Sequence, residues 1–453
     1  MTERDEILDT VCYTAKAHDF TTEEIDNYLS FDADPDEVRE VISDNVYDVS
    51  VGETDEGVFT RVEGDGIQAG FDSGMTDWVE SSVVEILEEE TESGSERQLL
   101  RYIDSLRGSY PGSGVEYTAE DCLAYLTYHF PAYYVEAKHV LSDLPLSDRM
   151  RVLDVGAGVG ANALGLHDLL PSRTAVEYTG VEPSGASEYL ERLLSGTRTT
   201  FGTRVERGTA SSFSPEADER YDLILFFNVV NELNDPVGVL EEYTDYLSED
   251  GSLVVVDPAD LETSVPLREI QREFHDEYTV YGPCTYLWDE KCGGRCWSFD
   301  SVGFEPPDFA RSYVGDRDAY VRSEVKYSHF ILRKDGRTRR SYDARRSDEA
   351  MMDEMSGHVG RRIRVTAEKM SGDLSDKNDG TEIYKICDGS AKSEHYAVLR
   401  QETEFNTYLR DADYGEILRL EDVLVHYNPN ESEDVPESYH LVVDSDSVVA
   451  RQE

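Results

Sequence analysis

The stretch RMRVLDVGAGVGANALGL, residues 149–166, decides the fold of this chain. The apolar residues before the glycines predict a buried strand, and the residues after them predict the start of a helix. Gly156, Gly158 and Gly160 remove side chains where the turn is tight and where the backbone must approach a ligand. A strand, a glycine turn and a helix in this order predict a nucleotide site.

Two acidic residues narrow the kind of nucleotide. Asp154 lies two residues before Gly156, at the carboxyl end of the strand, where a carboxylate meets an amino or hydroxyl group rather than a pyrophosphate. Glu182 ends the next predicted strand, in YTGVEPS, where an acidic residue can take the ribose hydroxyls. Both spacings indicate S-adenosylmethionine. A degenerate pocket and a nicotinamide site are the alternatives.

Strand and helix patterns alternate on the carboxyl side of the glycine turn. The strand-like runs YDLILFFNVV and SLVVVDPAD are separated by the helical pattern PVGVLEEYTDYLSEDG, and YSHFILRKD at 327–335 is a predicted last strand. This alternation predicts a parallel sheet with helices on both faces. From about Ile363 to Tyr427 the pattern changes to short strands and turns, which predicts a small β-barrel.

The central part of the chain resembles a class I methyltransferase, because the glycine motif, the acidic end of the second strand and YDLILFFNVV as the fourth strand follow in that order. The resemblance implies that the residues from Asp154 to Gly160 hold the amino acid part of S-adenosylmethionine and that Glu182 holds the ribose. It places Thr209 or Ala210 near the adenine. Asn228 borders the methyl site or, alternatively, only caps the end of its strand.

A catalytic signature is missing from this segment. The sequence FFNVVNEL has no Pro-Pro-aromatic motif, and no cysteine nucleophile lies in it. The sequence therefore supports a cofactor site and leaves the catalytic residues unassigned.

Three of the six cysteines lie in one loop, GPCTYLWDEKCGGRCWSFD, at residues 282–300. Their spacing is C-x7-C-x3-C, and the glycines around them allow backbone to wrap an inorganic core. Zinc and a [4Fe–4S] cluster each need a fourth ligand, for which the candidates are Cys12, Cys122, Cys387 and His275. Free or redox-active thiols are a third alternative.

Four segments together resemble the methyltransferase-like small-ribosomal-subunit assembly proteins, a family first described in mitochondria, with bacterial and archaeal relatives. They are AYLTYHFPAYYVEAKHVL, the cysteine loop, KYSHFILRK, and CDGS followed by YLRDADYGE. The likeness covers about residues 118–427. It implies an adenosylmethionine-binding fold, an OB-like module, a role in maturation of the small ribosomal subunit, and a [4Fe–4S] cluster held by Cys284, Cys292, Cys296 and Cys387. The chain departs from the family at His129, where an Arg often precedes the Pro, and in the insertion GDLSDKNDG.

With this resemblance we predict an α/β chain in five parts, whose central part is a class I Rossmann-like methyltransferase domain. The parts are a small helical or winged-helix-like domain at 1–75, a helical region at 76–145, the methyltransferase-like domain at 146–335 with the cysteine loop at 282–300, an Arg-rich linker at 336–360, and an OB-like β module at 361–453.

A local excess of arginine marks the predicted linker and the start of the β module. The residues are Arg337, Arg339, Arg340, Arg345, Arg346, Arg361, Arg362 and Arg364. Guanidinium groups bind phosphates through forked donors, so this island predicts contacts with small-subunit rRNA. The alternative is a solvated linker whose arginines pair with nearby Asp and Glu.

Acidic residues number 96 against 42 basic ones, giving a net charge of −54. A uniform acidic excess with ordinary amphipathic patterns predicts a folded protein adapted to strong salt, as in a haloarchaeal cytoplasm. No apolar run is long enough to span a membrane, and we expect a cytoplasmic monomer. The predicted function is an adenosylmethionine-binding, [4Fe–4S]-containing factor that binds rRNA and the pre-subunit particle, with methyl transfer left open. An active rRNA methyltransferase and a zinc-binding methyltransferase are the alternatives.

Overall fold

The computed structural model describes residues 2–91, 99–104, 117–216, 219–283, 287–288, 296–314, 317, 320–340, 349–375, 380–390, 393–429 and 438–452. The chain forms two units. The first consists of Met1–Val254 and Val302–Val325, and the second of Val255–Ser301 and Lys326–Glu453. No helix within the ranges given above is long and apolar enough to cross a membrane.

The first unit begins with four helices and a two-stranded hairpin. They are α1 (Glu3–Ala15), α2 (Thr22–Asp26), α3 (Pro35–Asp44), α4 (Val46–Val49), β1 (Val51–Glu53) and β2 (Phe59–Arg61). Helix α1 starts at a capping box, in which the Asp5 N–H donates to Thr2 Oγ1 at 3.1 Å and the Thr2 N–H donates to the Asp5 carboxylate at 2.7 Å. Apolar residues of the helices and the hairpin, including Val11 and Phe59, form a core of their own.

Two glycines let this helical part approach the central sheet closely. A Cβ at Gly52 would lie 1.7 Å from the carbonyl oxygen of Arg173, and a Cβ at Gly202 would lie 2.0 Å from the carbonyl oxygen of Ser43. Any larger side chain at either position would overlap backbone. The helical part is therefore packed directly onto the methyltransferase-like part of the first unit.

The central sheet alternates with helices, as predicted. Before it come α5 (Asp77–Glu90), α6 (Ala119–Tyr128) and α7 (Phe130–Ser142). The alternating elements are β3 (Arg149–Val155), α8 (Ala161–Leu169), β4 (Ala175–Val181), α9 (Ala186–Leu194), β5 (Phe201–Glu206), β6 (Tyr221–Phe227), α10 (Pro236–Thr244), β7 (Leu247–Pro258), α11 (Leu261–Phe274), β8 (Thr279–Gly282), β9 (Asp300–Gly303), α12 (Asp308–Val314) and β10 (Glu324–Arg333).

The strands of this sheet follow one another in the order β5-β4-β3-β6-β7-β10-β8, and β9 pairs with β10. Strand β3 is parallel to both β4 and β6, and β4 is parallel to β5. Strand β10 is antiparallel to β8. From β3 the chain first adds strands on one side of the sheet (β4, β5) and then on the other side (β6, β7). Doubly wound sheets bind ligands at the carboxyl ends of the strands where this change occurs, which here are the ends of β3, β4 and β6.

The C-terminal strands close into a barrel. They are β11 (Arg362–Lys369), β12 (Glu382–Cys387), β13 (Glu394–Leu399), β14 (Ile417–Asn428), β15 (Ser438–Val443) and β16 (Val448–Arg451), with the short helix α13 (Tyr408–Asp411) after β13. Pairing runs β11-β12-β13-β15-β14, and β14 returns to β11, which closes a ring of five strands; β16 is added beside β14. The predicted C-terminal β-barrel is confirmed, and its strand order is that of an OB-fold, with β13 and β15 parallel.

A buried polar network lies between α11, β10 and the barrel within the second unit. The Ser264 hydroxyl donates to the Ser298 carbonyl at 2.9 Å and accepts from the Ser328 hydroxyl at 2.7 Å. The Ser298 hydroxyl lies 2.7 Å from the hydroxyl of Tyr414, to which the Arg268 guanidinium donates at 3.3 Å. Hydrogen bonds in this low-dielectric setting fix the segment that contains Ser298 in one position.

Candidate functional site

A cavity of about 640 Å³ lies at the carboxyl ends of the parallel strands in the first unit. Its walls come from the glycine turn, the loops after β4, β5 and β6, and the start of α6. The lining residues are Tyr117, Cys122, Tyr125, Gly156, Gly158, Val159, Glu182, Pro183, Ser184, Ala186, Thr209, Ala210, Ser211, Phe227, Asn228, Val229, Glu232, Leu233, Asn234, Asp235 and Val239. The volume suits a small-molecule ligand.

All three motif glycines have left-handed backbone, with φ of 77°, 55° and 99° at Gly156, Gly158 and Gly160. A Cβ at Gly156 would lie 2.3 Å from Val229 Cγ2, and one at Gly160 would lie 2.9 Å from Leu190 Cδ1. At Gly158 a Cβ would meet nothing within 4 Å. Gly156 and Gly160 therefore serve close packing, whereas the backbone of Gly158 faces open space in the cavity.

Glu182 lies at the end of β4 and lines the cavity. Its Oε2 accepts from the Gly158 N–H at 3.0 Å, and its Oε1 accepts from the backbone N–H of Ser184 at 2.9 Å and from the Ser184 hydroxyl. A carboxylate oxygen can accept two hydrogen bonds, so Oε2 can accept one more from a ligand hydroxyl. The glycine turn and the acidic residue thus position each other.

Asp154 is fully buried and lies outside the cavity lining. Tyr178 donates its hydroxyl proton to Oδ2 at 2.8 Å, and Oδ1 has no partner within the described part of the chain. Burial raises the pKa of this carboxyl to about 7, while the Tyr178 hydroxyl and the nearby Asn162 amide favour the ionised form. Asp154 therefore supports the glycine turn from behind.

Thr209 and Ala210, the residues predicted near an adenine, both line the cavity, together with Ser211. The Thr209 N–H donates to the Ser212 hydroxyl at 2.8 Å, and the buried hydroxyl of Tyr243 donates to the Ala210 carbonyl at 2.9 Å. These bonds hold the loop after β5 in place. Its backbone and small side chains form one wall of the cavity.

Asn228 also lines the cavity, at the end of β6, and Glu232 lies in the short 3₁₀ helix that follows. Burial raises the pKa of Glu232 to about 7, with the nearby Glu182 carboxylate adding to the rise. The structure thus brings Gly156, Gly158, Glu182, Thr209 and Asn228 together around one cavity.

The helix α6 contributes residues that the sequence did not single out as ligand contacts. Tyr117 precedes α6, Cys122 and Tyr125 lie on it, and all three line the cavity. Burial raises the pKa of the Cys122 thiol to about 12, so it is a protonated, apolar side chain. Cys122 and Tyr125 are three residues apart on α6, a spacing that places both on one helix face and was the available signal.

The thiol site is described in part. Cys296 and Cys387 are buried together with Met370 in one small cluster in the second unit. The Gly389 N–H donates to Cys387 Sγ at 3.3 Å, an interaction that favours a thiolate. Cys284 and Cys292 lie outside the described residues. Within the described ranges no group of three or more His, Cys, Asp or Glu side chains could hold a metal ion.

Asp388, the residue after Cys387, organises the chain around the thiols. Its carboxylate accepts from the indole N–H of Trp288 at 2.8 Å, from the Met352 N–H at 2.9 Å, and from the N–H and hydroxyl of Ser390 at 2.9 and 2.8 Å. Burial raises the pKa of Asp388, and these donors act in the opposite direction. One carboxylate therefore joins the cysteine loop, the segment before β11 and the turn after β12.

The predicted RNA-binding arginines have different environments. Arg340 pairs with Glu416 at 2.6 Å, Arg362 with Asp444 at 2.7 Å, and Arg364 with Glu421 at 3.2 Å. Arg337 and Arg361 are exposed, and Arg339 is partly exposed. Arg345 and Arg346 lie outside the described residues. Three arginines of the island therefore form ion pairs with nearby Asp or Glu, as the alternative of a solvated linker expects.

A row of side chains crosses the outer face of the barrel. Lys385 of β12 is opposite Tyr396 of β13, which is opposite His440 of β15, which is opposite His426 of β14. At least one neighbour of each of these residues along its strand belongs to the barrel core, so the row lies on the opposite face of the strands; these neighbours include Tyr384, Ala397, Leu441 and Val425. His426 is exposed, and Lys385 Nζ lies 4.3 Å from the ring centre of Trp297.

Residues 127–303 match the family model of a methyltransferase domain, and residues 353–452 match the model of the C-terminal domain of DUF8157, a domain of unknown function. The search of curated proteins gave no match. The chain is similar in structure to the plantazolicin methyltransferase BpumL in complex with SAH, with 13% identity, coverage of 56% of this chain and 98% of that chain, and a TM-score of 0.30.

Two further solved structures are similar at the same level. The mitomycin 7-O-methyltransferase MmcR has 15% identity, with coverage of 57% of this chain and 77% of that chain, and a TM-score of 0.27. The precorrin-6y C5,15-methyltransferase from Geobacter metallireducens has 14% identity, with coverage of 44% and 88% and a TM-score of 0.30. With the matched family model, the sheet order and the cavity, the predicted fold is confirmed: the chain contains a Rossmann-like methyltransferase domain followed by a closed β-barrel.

Proposed function

We propose that this chain binds S-adenosylmethionine in the cavity of the first unit and acts as a maturation factor of the small ribosomal subunit, which binds rRNA and holds a [4Fe–4S] cluster. The observation that carries the proposal is the cavity itself, in which the glycine turn and Glu182 meet at the carboxyl ends of β3 and β4. The role in ribosome maturation rests on the sequence resemblance.

Three features support S-adenosylmethionine as the ligand. Glu182 keeps an acceptor position for a ribose hydroxyl, and Gly158 faces open space without a side chain. Thr209 and Ala210 line the opposite wall, where a small backbone-lined surface can take a flat base. When bound, the cofactor supplies an activated methyl group, while the residues of this chain orient it.

The proximity of Cys296 and Cys387 supports the proposed cluster. The two cysteines are 91 residues apart in sequence (387 − 296) and are buried together, with a backbone N–H directed at one sulfur. Thiolates accepting such hydrogen bonds are suited to iron–sulfur ligation. Cys284 and Cys292 would complete the ligand set, and a bound cluster would tie the cysteine loop to the barrel.

RNA binding is supported by the barrel and by the exposed cations near it. OB barrels bind oligonucleotides on the face formed by their second and third strands, which here are β12 and β13. Tyr396 lies on that face, and His440 and His426 extend the row to the adjacent strands. Arg337 and Arg361 are two exposed arginines of the island and are available for phosphates.

The cofactor proposal is tested by calorimetric titration of the protein with SAH, the product form of the cofactor. We expect saturable binding at one site, and weaker binding by at least tenfold in Glu182→Ala, which loses the ribose acceptor. Glu188→Ala, at an exposed residue of α9, is the control and should bind like the unchanged protein. Absence of binding to the unchanged protein would refute the proposal.

The cluster is tested by anaerobic purification, iron and sulfide analysis and absorption near 400 nm. We expect Cys387→Ser to lose the absorption and to unfold at a lower temperature, because one missing ligand opens the site. Cys12→Ser, at a partly buried cysteine of α1, should keep the absorption. A colourless protein with one zinc per chain would favour the zinc alternative, and a colourless protein without metal would refute both.

The RNA proposal is tested by co-sedimentation with small ribosomal subunits. Replacing Arg337 and Arg361 together with Ser should weaken the association, since both are exposed. The matched control replaces Arg362 and Arg364, which already pair with acids, and should have a smaller effect. Equal co-sedimentation of all variants would favour a solvated island without contacts to rRNA.

Methyl transfer to rRNA is the second candidate function, favoured by the Asn228 side chain in the cavity. A methylation map of small-subunit rRNA from cells with and without the gene distinguishes the two. Loss of one modified nucleotide, restored by the unchanged gene and not by Glu182→Ala, would establish the enzyme. An unchanged map would leave a factor that binds the cofactor without transferring its methyl group.

A further inference from the structure

The walls of the cavity in the first unit carry an excess of negative charge. Three carboxylates line it, those of Glu182, Glu232 and Asp235. Within the described part of the chain, no lysine, arginine or histidine is among the lining residues. A cleft lined by charges of one sign concentrates their field inside it, and a ligand of opposite charge relieves their mutual repulsion. The walls therefore favour a cationic ligand and disfavour a phosphate.

The three carboxylates differ in the contacts that the protein itself makes with them. Glu182 accepts a hydrogen bond from the Gly158 N–H at 3.0 Å. Asp235 accepts one from the Gly238 N–H at 3.1 Å, at the start of α10. Glu232 is partly buried, and its carboxylate has neither a hydrogen bond nor an ion pair within the residues that the structure describes. A ligand can therefore interact with Glu232 without displacing a contact of the fold.

An aromatic wall lies in the same part of the cavity. Burial raises the pKa of the Tyr117 hydroxyl, and the negative charges of Glu232 and Glu182 raise it further, so the three side chains interact electrostatically. The rings of Tyr117 and Tyr125 both line the cavity and meet edge to face, with centres 6.4 Å apart. Aromatic faces attract cations. The carboxylates and the rings thus favour the same kind of charge.

S-adenosylmethionine carries a positively charged sulfonium, which is an uncharged thioether in SAH, whereas all other charged groups of the two compounds are the same. We propose that the Glu232 carboxylate recognises the sulfonium charge, so that the cavity selects S-adenosylmethionine over SAH. The proposal rests on the proposed function and deepens it, because it names the form of the cofactor that the cavity selects. No bond is made or broken in this role.

Glu232 has to be ionised to attract a cation. Burial and the charge of Glu182 raise its pKa to about 7 in the protein without ligand. A bound cation stabilises the ionised form and lowers this pKa, so the affinity for S-adenosylmethionine should rise from about pH 5 to about pH 7 and then become constant. The titratable groups that line the cavity with Glu232 are the carboxylates of Glu182 and Asp235, the hydroxyls of Tyr117 and Tyr125, and the thiol of Cys122.

The test compares three compounds by calorimetric titration at about pH 8, where Glu232 is ionised. They are S-adenosylmethionine, SAH and sinefungin, an analogue in which a carbon that bears a charged amine replaces the methylated sulfur. Sinefungin therefore separates the effect of positive charge from that of the sulfur and its methyl group. We expect both cationic compounds to bind at least about tenfold more tightly than SAH.

Two variants determine whether Glu232 is the cause of this preference. Glu232→Gln keeps the shape of the side chain without its charge, so it should bind SAH normally and lose both the preference and its dependence on pH. Normal SAH binding also shows that this variant is folded. Glu241→Gln, at an exposed residue of α10, removes an equal charge outside the cavity and should leave the preference unchanged.

The possible outcomes separate this inference from the proposed cofactor site. Equal binding of S-adenosylmethionine and SAH to the unchanged protein, or a preference that persists in Glu232→Gln, would overturn the inference and leave the site intact. A preference that sinefungin does not share, or one that is the same at about pH 5 and about pH 7, would also overturn it. Failure of all three compounds to bind would refute the site and the inference together.

Discussion

At the scale of single residues, two carboxyl groups next to the glycine turn, those of Glu182 and Asp154, differ in their access to the cavity of the first unit. Glu182 lines the cavity and is hydrogen-bonded to the glycine turn, whereas Asp154 lies behind the turn without contact to the cavity. The glycine motif therefore has one acidic residue at the cavity and one buried behind the turn.

We predict that Asp154 makes the protein less stable as the pH rises from about 4 to about 7. The ordinary pKa of an Asp is about 4, and burial raises that of Asp154 to about 7, so the folded state binds the proton more tightly than the unfolded state over this range. Asp154→Asn should remove this loss. Melting temperatures of both proteins, measured without ligand across this range, should differ increasingly in favour of the variant.

The groups facing Asp154 are the Tyr178 hydroxyl, the Asn162 amide and the Glu182 carboxylate. In the Asp154→Asn variant the new amide oxygen could still accept from the Tyr178 hydroxyl. Asp245→Asn, which removes an exposed carboxylate of the same unit, is the control for the change in net charge. A difference in melting temperature that stays constant with pH would contradict the prediction.

At the scale of elements, the helical part at the N-terminus depends on glycine for its packing against the sheet. We predict that Gly52→Ala and Gly202→Ala each lower the free energy of unfolding by about 3 kcal/mol, because the new methyl groups would overlap the backbone oxygens of Arg173 and Ser43. Urea unfolding of each variant measures this. Gly70→Ala, whose Cβ would meet nothing within 4 Å, should change it by less than about 0.5 kcal/mol. Equal effects at all three positions would show that close packing is not the cause.

The turn after β12 is a second element whose stability depends on one group. We predict that Asp388→Ala lowers the free energy of unfolding by about 3 kcal/mol or more, because the indole of Trp288 and the backbone N–H of Met352 lose a buried acceptor. Ser390→Ala removes one donor to the same carboxylate and should cost about 1 kcal/mol. Urea unfolding followed by tryptophan fluorescence compares the two, and a variant Asp388→Ala as stable as Ser390→Ala would contradict the prediction.

At the scale of the whole molecule, the net charge of −54 predicts a response of stability to salt. We predict that the melting temperature rises as KCl is increased from about 0.1 M to about 2 M, because the Debye length falls from about 10 Å at 0.1 M to about 3 Å at 1 M and screens the repulsion within a chain of net charge −54. Differential scanning calorimetry measures the effect. Sucrose at equal osmolality should raise the melting temperature less. An equal rise in both solutions would indicate exclusion of solutes and not screening of charge.

The sequence could predict the parts of the structure that local chemistry decides. Gly156, Gly158 and Gly160 were recognisable because left-handed backbone favours glycine, and the barrel was recognisable from short alternating strands. Glu182 followed from its place at the end of a strand. Each of these features is determined by residues that are close together in the sequence.

The remaining features depend on residues far apart in sequence. Asn228 lines the same cavity as Tyr117, which lies 111 residues earlier (228 − 117), and the sequence left open whether Asn228 borders a ligand or caps its strand. The Asp388 carboxylate accepts hydrogen bonds from Trp288 and Met352, which belong to separate segments of the chain. Such contacts form only when the elements have packed, so no pattern of spacing indicates them.

The parallel pairing of β13 with β15 also has a consequence for the order of events during synthesis. The first unit contains no residue after Val325, whereas the barrel cannot close until β15 has been made, through Val443. Domains fold in the order in which they leave the ribosome, so the cavity of the first unit can form before the barrel strands that follow Cys387 have been synthesised. The buried cluster of Cys296, Met370 and Cys387 can therefore form only after translation has passed Cys387, and slow translation before that point would prolong the exposure of Cys296.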